Sequence, residues 1–329
     1  MEYRTVGSTG VQVSPLCFGT MSFGAEADEA TSEAMYRRVR ELGINFFDTA
    51  NVYGGGRSEE ILGTLVAGER DDVVITSKVG FPMGADPNAQ GLSRRHIMQA
   101  VEASLARLGT DRLDFYFVHI FDERTPIEQT LHALDDLQRQ GKILYPGVSN
   151  WAAWQIATSL GVSAREGLAQ FELIQPMYNL AKRQAEVEIL PLAQAENLGV
   201  ITYSPLGGGL LTGKYRGGQH GTGQPASGRL VENARYADRY ESDHALAERF
   251  AAFADDAGIS PAALAVAWAM GHPGVTAPIV GARSLEQLEG SLSALDVEMT
   301  PELRAQISAL SATPAPASDR AEVLTGRWT

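Results

Sequence analysis

Residues 73 to 119, VVITSKVGFPMGADPNAQGLSRRHIMQAVEASLARLGTDRLDFYFVH, contain one complete strand, helix and strand in succession. The run VVITS (73 to 77) is short, apolar and largely β-branched, as expected of a parallel strand covered on both faces. Ser93 then caps a helix that sets Ile97, Val101, Leu105 and Leu108 along one face and stops at Gly109. LDFYFV (113 to 118) supplies the next strand. Working outward, similar runs stand at LCFG (16 to 19), INFF (44 to 47), ILYPGV (143 to 148), FELI (171 to 174), VITY (200 to 203) and APIV (277 to 280), which makes eight strands. Helical periodicity fills the intervals, as at residues 28 to 42, where Ala30, Ala34, Tyr36, Val39 and Leu42 recur among charged positions. Eight alternations favour a closed (β/α)8 TIM barrel, a single domain over residues 1 to 329, above an open doubly wound sheet.

Two stretches fall outside that rhythm, besides the opening YRTVGSTGVQV, which reads as a β-hairpin turning at Ser-Thr-Gly and plugging the barrel bottom. Residues 207 to 240, after the seventh strand, are rich in Gly and polar residues and read as a long functional loop over the barrel top. From Ala312 onward the chain either drapes over the barrel or is disordered. No internal repeat or linker divides the sequence.

With 27 basic and 40 acidic residues the formal charge is −13, and no basic cluster interrupts it, so nucleic acid and anionic membranes are poor partners. The one cysteine, Cys17, lies in the apolar run LCFG and reads as a small hydrophobe in a reduced compartment. The start MEYRTVGSTG has no basic segment followed by a long apolar stretch, so cytoplasmic residence is the expectation.

Asp48, Lys78 and His119 each directly follow a predicted strand, at INFF, VVITS and LDFYFV, and Tyr53 stands in the loop beyond Asp48. In a barrel those ends converge on the face where active sites form. Taken singly, Asp48 could cap a helix, Tyr53 could pack, Lys78 could be a solvated strand end and His119 a core histidine. Together they suit carbonyl reduction, because hydride delivery leaves an alkoxide that needs a proton as it forms. A tyrosine of ordinary pKa roughly 10 can supply it, and a nearby ammonium is expected to lower that value. Lys78 is the cation, Asp48 its holder, and His119 the hydrogen bond to the carbonyl oxygen.

The motifs NFFDTANVYGGGRSEEILG from Asn45, ITSKVG around Lys78 and DFYFVHIFD around His119 occur in order, and with them the chain resembles the aldo-keto reductase family. The resemblance runs from LCFGTMSFG at residue 16 to IVGARSLEQL at residue 279 and points to the branch similar to potassium-channel β subunits and bacterial members. It implies reduction of an aldehyde or ketone by NADPH, with Asp48, Tyr53, Lys78 and His119 as the catalytic set. A nucleotide-binding regulatory or partner protein with weak reductase activity is the alternative.

The resemblance also implies cofactor contacts. In GVSN, Ser149 and Asn150 hold the nicotinamide carboxamide, with Gln175 in a similar role, although turn or cap chemistry also accounts for the first two. Gly19, Thr20, Met21 and Asp48 belong to the same site. In YSPLGGGLLTGKY, Tyr203 stacks on the nicotinamide, while Ser204, Pro205, Leu206, Gly207, Gly209 and Lys214 approach the pyrophosphate. Gly281, Arg283, Gln287 and Ser291 form the adenosine end, where the planar fork of Arg283 suits a 2′-phosphate. Ser291 replaces the family's usual Asn, and Pro146 enters a central strand, which leads us to expect a local bulge.

Other features carry less. Gly208, Gly213 and Lys214 mimic a Walker A loop, but Tyr215 stands where Ser or Thr is needed and no GxGxxG occurs. His96, His132, His220, His244 and His272 lack ligand spacing, so no metal is assigned. Tyr178, Trp151 and Trp154 read as packing. Phe23, Phe81 and Phe121, with Met21, read either as walls of an apolar substrate pocket or as core.

Overall fold

The structure is a computed structural model that describes residues 1–216 and 228–318. It begins with an antiparallel hairpin, β1 (Arg4–Thr5) and β2 (Gln12–Val13), in which Arg4 pairs with Val13. Eight parallel strands then close into a barrel: β3 (Cys17–Gly19), β4 (Phe46–Asp48), β5 (Val74–Val79), β6 (Leu113–Val118), β7 (Ile143–Ser149), β8 (Leu173–Gln175), β9 (Gly199–Thr202) and β10 (Ala277–Val280). The last returns to pair with β3.

Helices α1 (Glu29–Glu41), α2 (Arg57–Val66), α3 (Arg94–Leu108), α4 (Ile127–Arg139), α5 (Ala153–Glu166) and α6 (Ile189–Ala195) fill the first connections. Between β9 and β10 lie α7 (Arg229–Glu232), α8 (Ala234–Tyr240), α9 (His244–Asp256) and α10 (Pro261–Met270), and α11 (Leu285–Leu292) and α12 (Pro301–Ser308) follow β10. The expected helix signals work locally. The Ser93 side chain accepts from the His96 N–H at the start of α3, and Gly109 ends that helix at φ 62°.

Strand parity separates two cores. Phe18, Phe47, Ile75, Tyr116, Val118, Val148, Ile174, Val200 and Val280 are buried in the layer shared with the helices. Their neighbours Cys17, Phe46, Phe115, Phe117, Leu173, Ile201, Ala277 and Ile279 form the separate cluster inside the barrel. Because Asp48 lies two residues beyond Phe46 and Lys78 four beyond Val74, both continue the inward set at its upper end.

The hairpin closes the opposite end. Val6 and Val13 join the interior cluster, and Nη1 of Arg4 donates to the carbonyls of Met270, Val275 and Thr276, just before β10. Gly7 sits at φ +49°, and a Cβ there would lie 2.6 Å from the Gly199 nitrogen, so only glycine lets the turn press against the foot of β9.

Three expectations need correction. Asp48 and Lys78 lie within β4 and β5 rather than after them, which ties their backbones into the ladder, and Tyr203 falls just beyond β9. Pro146 makes no bulge: Phe115, Tyr116 and Phe117 pair in step with Tyr145, Pro146 and Gly147. The Pro146 carbonyl accepts from Glu172 N–H, so its missing donor faces a stretch that precedes the start of β8 at Leu173. Finally, the span read as a loop from 207 to 240 contains α7 and α8, while residues 217–227, His220 among them, lie outside the described residues. The same holds for 319–329 of the C-terminal stretch.

Candidate active site

Asp48 and Lys78 meet on adjacent strands, where Asp48 pairs with Thr76 in register. The fully buried Lys78 Nζ lies 2.6 Å from Asp48 Oδ2, 2.7 Å from the Thr49 carbonyl and 3.3 Å from the Tyr53 hydroxyl. The other carboxylate oxygen of Asp48 accepts from Thr76 Oγ1 at 2.7 Å and from Gln175 Nε2 at 2.8 Å. A buried ion pair is tolerable only when its remaining hydrogen-bonding capacity is met, and here it is. Burial favours the neutral amine of Lys78, but Asp48 and then Tyr53 outweigh it, so the lysine pKa rises and the ammonium persists.

Tyr53 begins a glycine-rich turn after β4, and its ring lies edge-on to His119 with centroids 6.0 Å apart. The expected lowering of the Tyr53 pKa is not found. Burial of the hydroxyl raises it, Lys78 pulls it back only in part, and Asp48 adds to the rise, so the phenol holds its proton above the ordinary tyrosine range. His119 is buried, and burial followed by the Lys78 charge pushes its pKa well below normal, which leaves a neutral ring. Its Nδ1 is buried without a partner.

The neighbouring strand ends form a linked frame. Ser149 Oγ donates to the Gln175 carbonyl, Asn150 Nδ2 donates to the His119 carbonyl, and Tyr203 OH donates to Asn150 Oδ1 at 2.8 Å. Asn150 and Ser204 both adopt positive φ, 58° and 59°, the strained backbone common at functional sites. At the β3 end, the Gly19 position has no room for a Cβ, which would meet Ile279 at 2.7 Å. Thr20 is buried, with Oγ1 2.7 Å from Ser58 Oγ, and so braces the Asp48 turn. Ser22 Oγ donates to the Ala282 carbonyl, which brings the Met21 loop beside Gly281.

Farther round the rim, the backbone after Ser204 and Pro205 turns tightly at Leu206, with Gly207, Gly208 and Gly209 all at positive φ. Lys214, Arg229 and Arg283 gather beside it with Glu26 and Glu232. Arg283 Nη1 is 2.8 Å from Glu232, while Arg283 and Arg229 each stand 3.7 Å from Glu26. Burial, then the Arg283 charge, lowers the Lys214 pKa against the pull of Glu232. Three cations that crowd one another around two carboxylates form a place where a further anion relieves repulsion, so these residues fit a phosphorylated nucleotide. Gln287 Oε1 accepts from the Arg283 N–H, and Ser291 Oγ is buried with no partner nearby.

Several residues missed by sequence reading belong here. Thr76 was visible in principle, since it faces inward two positions before Lys78. Glu26, Arg229 and Glu232 carry no local signal, because only tertiary folding brings them to Arg283. Other residues settle into packing roles. Phe23 is fully buried against Phe18, and Tyr178 stacks on Trp268. Phe81 alone of the three phenylalanines contacts His119, at 4.7 Å between centroids. Trp151 is buried between Phe121 and Phe171, whereas Trp154 is 64% exposed and not core.

Comparison with known proteins places the chain in a family. The description Aldo/keto reductase family matches residues 15–312. An uncharacterized oxidoreductase of Bacillus subtilis, YrpG, is 37% identical over 315 residues, covering 92% of this chain and 94% of its own. A probable voltage-gated potassium channel subunit beta of Arabidopsis thaliana is 38% identical, covering 90% and 92%. Versiconal hemiacetal acetate reductase of Aspergillus parasiticus is 32% identical, covering 92% and 94%. The chain belongs to the aldo/keto reductase family, whose members include oxidoreductases and potassium-channel β subunits.

Proposed function

We propose that the protein reduces an aldehyde or ketone with NADPH and that Tyr53 delivers the proton. The observation that carries this reading is the buried chain Asp48, Lys78 and Tyr53, joined at 2.6 and 3.3 Å at the mouth of the barrel. When bound, the reduced nicotinamide supplies a hydride to the carbonyl carbon. Tyr53 gives its hydroxyl proton to the carbonyl oxygen as negative charge develops there, and the Lys78 ammonium stabilises the phenolate left behind. Asp48, fixed by Thr76 and Gln175, keeps Lys78 charged and aimed. His119 is neutral, and because its buried, unpartnered nitrogen is Nδ1, it is the Nε2–H that can donate to the substrate oxygen and orient it.

Ser149, Asn150 and Gln175 are assigned to the carboxamide of the cofactor. Gln175 can serve both sides at once, since its Nε2 is committed to Asp48 and its Oε1 remains an acceptor. Tyr203 would stack on the nicotinamide, the Leu206 to Gly209 turn and Lys214 would hold the pyrophosphate, and Arg283 the 2′-phosphate. Cytoplasmic residence belongs to the same proposal: among the described residues no single helix is long and apolar enough to cross a membrane, and Cys17 is buried inside the barrel.

The presence of potassium-channel β subunits among the relatives keeps a second reading in play, that of a nucleotide-binding partner protein. Loss of NADPH absorbance over a panel of aldehydes and ketones separates the two. Steady turnover is expected, while NADPH binding without turnover on any carbonyl would favour the partner protein.

A further inference from the structure

Beside the catalytic bowl lies a cavity of about 400 Å³, lined among others by Asn150, Trp151, Gln175, Tyr203, Lys182 and Arg239. Asn150, Gln175 and Tyr203 are shared with the site above, and Ile174, Met177 and Ile189 make much of the remaining wall apolar. Its two cations differ in what they are free to do. Lys182 Nζ is committed to Asp243 Oδ2 at 2.8 Å and lies over the Tyr240 ring. Arg239 has no ion pair or hydrogen bond among the described residues; its guanidinium rests against the Tyr236 ring, 5.4 Å from the centre. Stacking of this kind fixes the plane of the fork and leaves its N–H donors available.

Half-buried at a largely apolar cavity and without a polar partner among the described residues, Arg239 presents an available cation, in a chain whose acidic residues outnumber its basic ones by 13. Arg239 also lies close to the chemistry. The Tyr203 hydroxyl feels both the Arg239 charge and the Tyr53 hydroxyl, although burial is what chiefly sets its pKa, at about 12. Arg239 and Tyr203 line the same cavity, and the Tyr203 hydroxyl is held by Asn150 at the end of β7, so a ligand that extends from the bowl round the nicotinamide site into this cavity meets the guanidinium.

We propose that Arg239 anchors a carboxylate carried by the carbonyl substrate, so that the preferred substrates are acidic aldehydes or ketones with an apolar or aromatic body. This rests on the reductase reading and narrows it. The fork of Arg239 matches a carboxylate bidentately, and the apolar wall takes the body of the molecule.

The test compares 4-carboxybenzaldehyde with 4-methylbenzaldehyde in the wild type, Arg239→Gln and Arg239→Lys, with NADPH affinity titrated in parallel without substrate. The ratio of the two kcat/KM values is expected to fall about 10- to 100-fold in Arg239→Gln, the scale of one charge-assisted hydrogen bond, and to recover in part in Arg239→Lys. An unchanged ratio overturns the proposal. So does weakened NADPH binding without a change in the ratio, which would give Arg239 to the cofactor pyrophosphate. A second arm needs no turnover: benzoate and benzamide are titrated against the full chain with NADP+ present, by tryptophan fluorescence. Preference for benzoate that is lost in Arg239→Gln supports the anchor even if no aldehyde is reduced, an outcome that would defeat only the reductase reading. Equal binding of the two by the wild type defeats the anchor.

Discussion

Lys78 is wholly buried yet charged, and the balance that keeps it so has consequences for Tyr53. Burial already holds the phenol's proton above the ordinary tyrosine range, and Lys78 is the main influence pulling the other way. A general acid works only while protonated, so kcat/KM for reduction should stay level through neutral pH and fall only as pH rises through that elevated value. Lys78→Met removes the lowering influence and should move the alkaline fall to still higher pH, on a much reduced rate. A fall that stays put or moves down would break the coupling. The same change leaves Asp48 buried with only Thr76 and Gln175 as partners, and urea unfolding should register a loss of about 3 kcal/mol. The identities of these residues were legible from their places at strand ends. The direction of the tyrosine shift was not, because the sequence reveals the neighbouring cation but not the depth of burial that outweighs it.

Helix α7 and the turn after β10 meet through Arg283, Glu232 and Glu26. If Arg283 holds the 2′-phosphate, Arg283→Ala should weaken NADPH about 10- to 100-fold while NADH, which lacks that group, changes little. Fluorescence titration of both nucleotides measures it, and an equal loss for both would take Arg283 out of that role. Glu232 competes for the same guanidinium at 2.8 Å. Glu232→Gln should therefore tighten NADPH by about 3- to 10-fold, the worth of an exposed ion pair and a nearby like charge; unchanged or weaker binding would show that Glu232 is not a competitor. Arg283 stood out in the sequence from its motif, whereas Glu232 lay in a stretch read as loop. A four-residue helix bordering a Gly-rich segment offers too little periodicity to recognise.

The barrel as a whole was legible because all its strands are short apolar runs between turn residues, and because β6 and β10 coincide with LDFYFV and APIV. What escaped was ladder detail. Only the pairing shows that Pro146 lacks a donor where β8 has not yet begun. Closure also sets how the molecule responds to acid. His272, below the barrel, is lowered to about 4 chiefly by burial, and its Nδ1 accepts from Gly274 N–H at 3.0 Å. In the unfolded chain its pKa is about 6.5, so unfolding takes up a proton, and stability falls as pH drops from about 6.5 towards 4. Because the ring is partly solvated, about 1–2 kcal/mol is a fair share, and His272→Gln, which keeps an acceptor, should flatten that slope in denaturation curves. His119 acts in the same direction. Above all, the fold matters because it gathers Asp48, Tyr53, Lys78 and His119 from the upper ends of three successive strands, β4, β5 and β6, and the turn after β4, into one group, to which the proposed function gives proton delivery. Tyr53→Phe tests that most directly, with NADPH titration and aldehyde reduction followed on the same preparation. Retained NADPH binding with reduction lowered by roughly 10² to 10⁴ is the expected result, and near-normal reduction by the phenylalanine variant would contradict it.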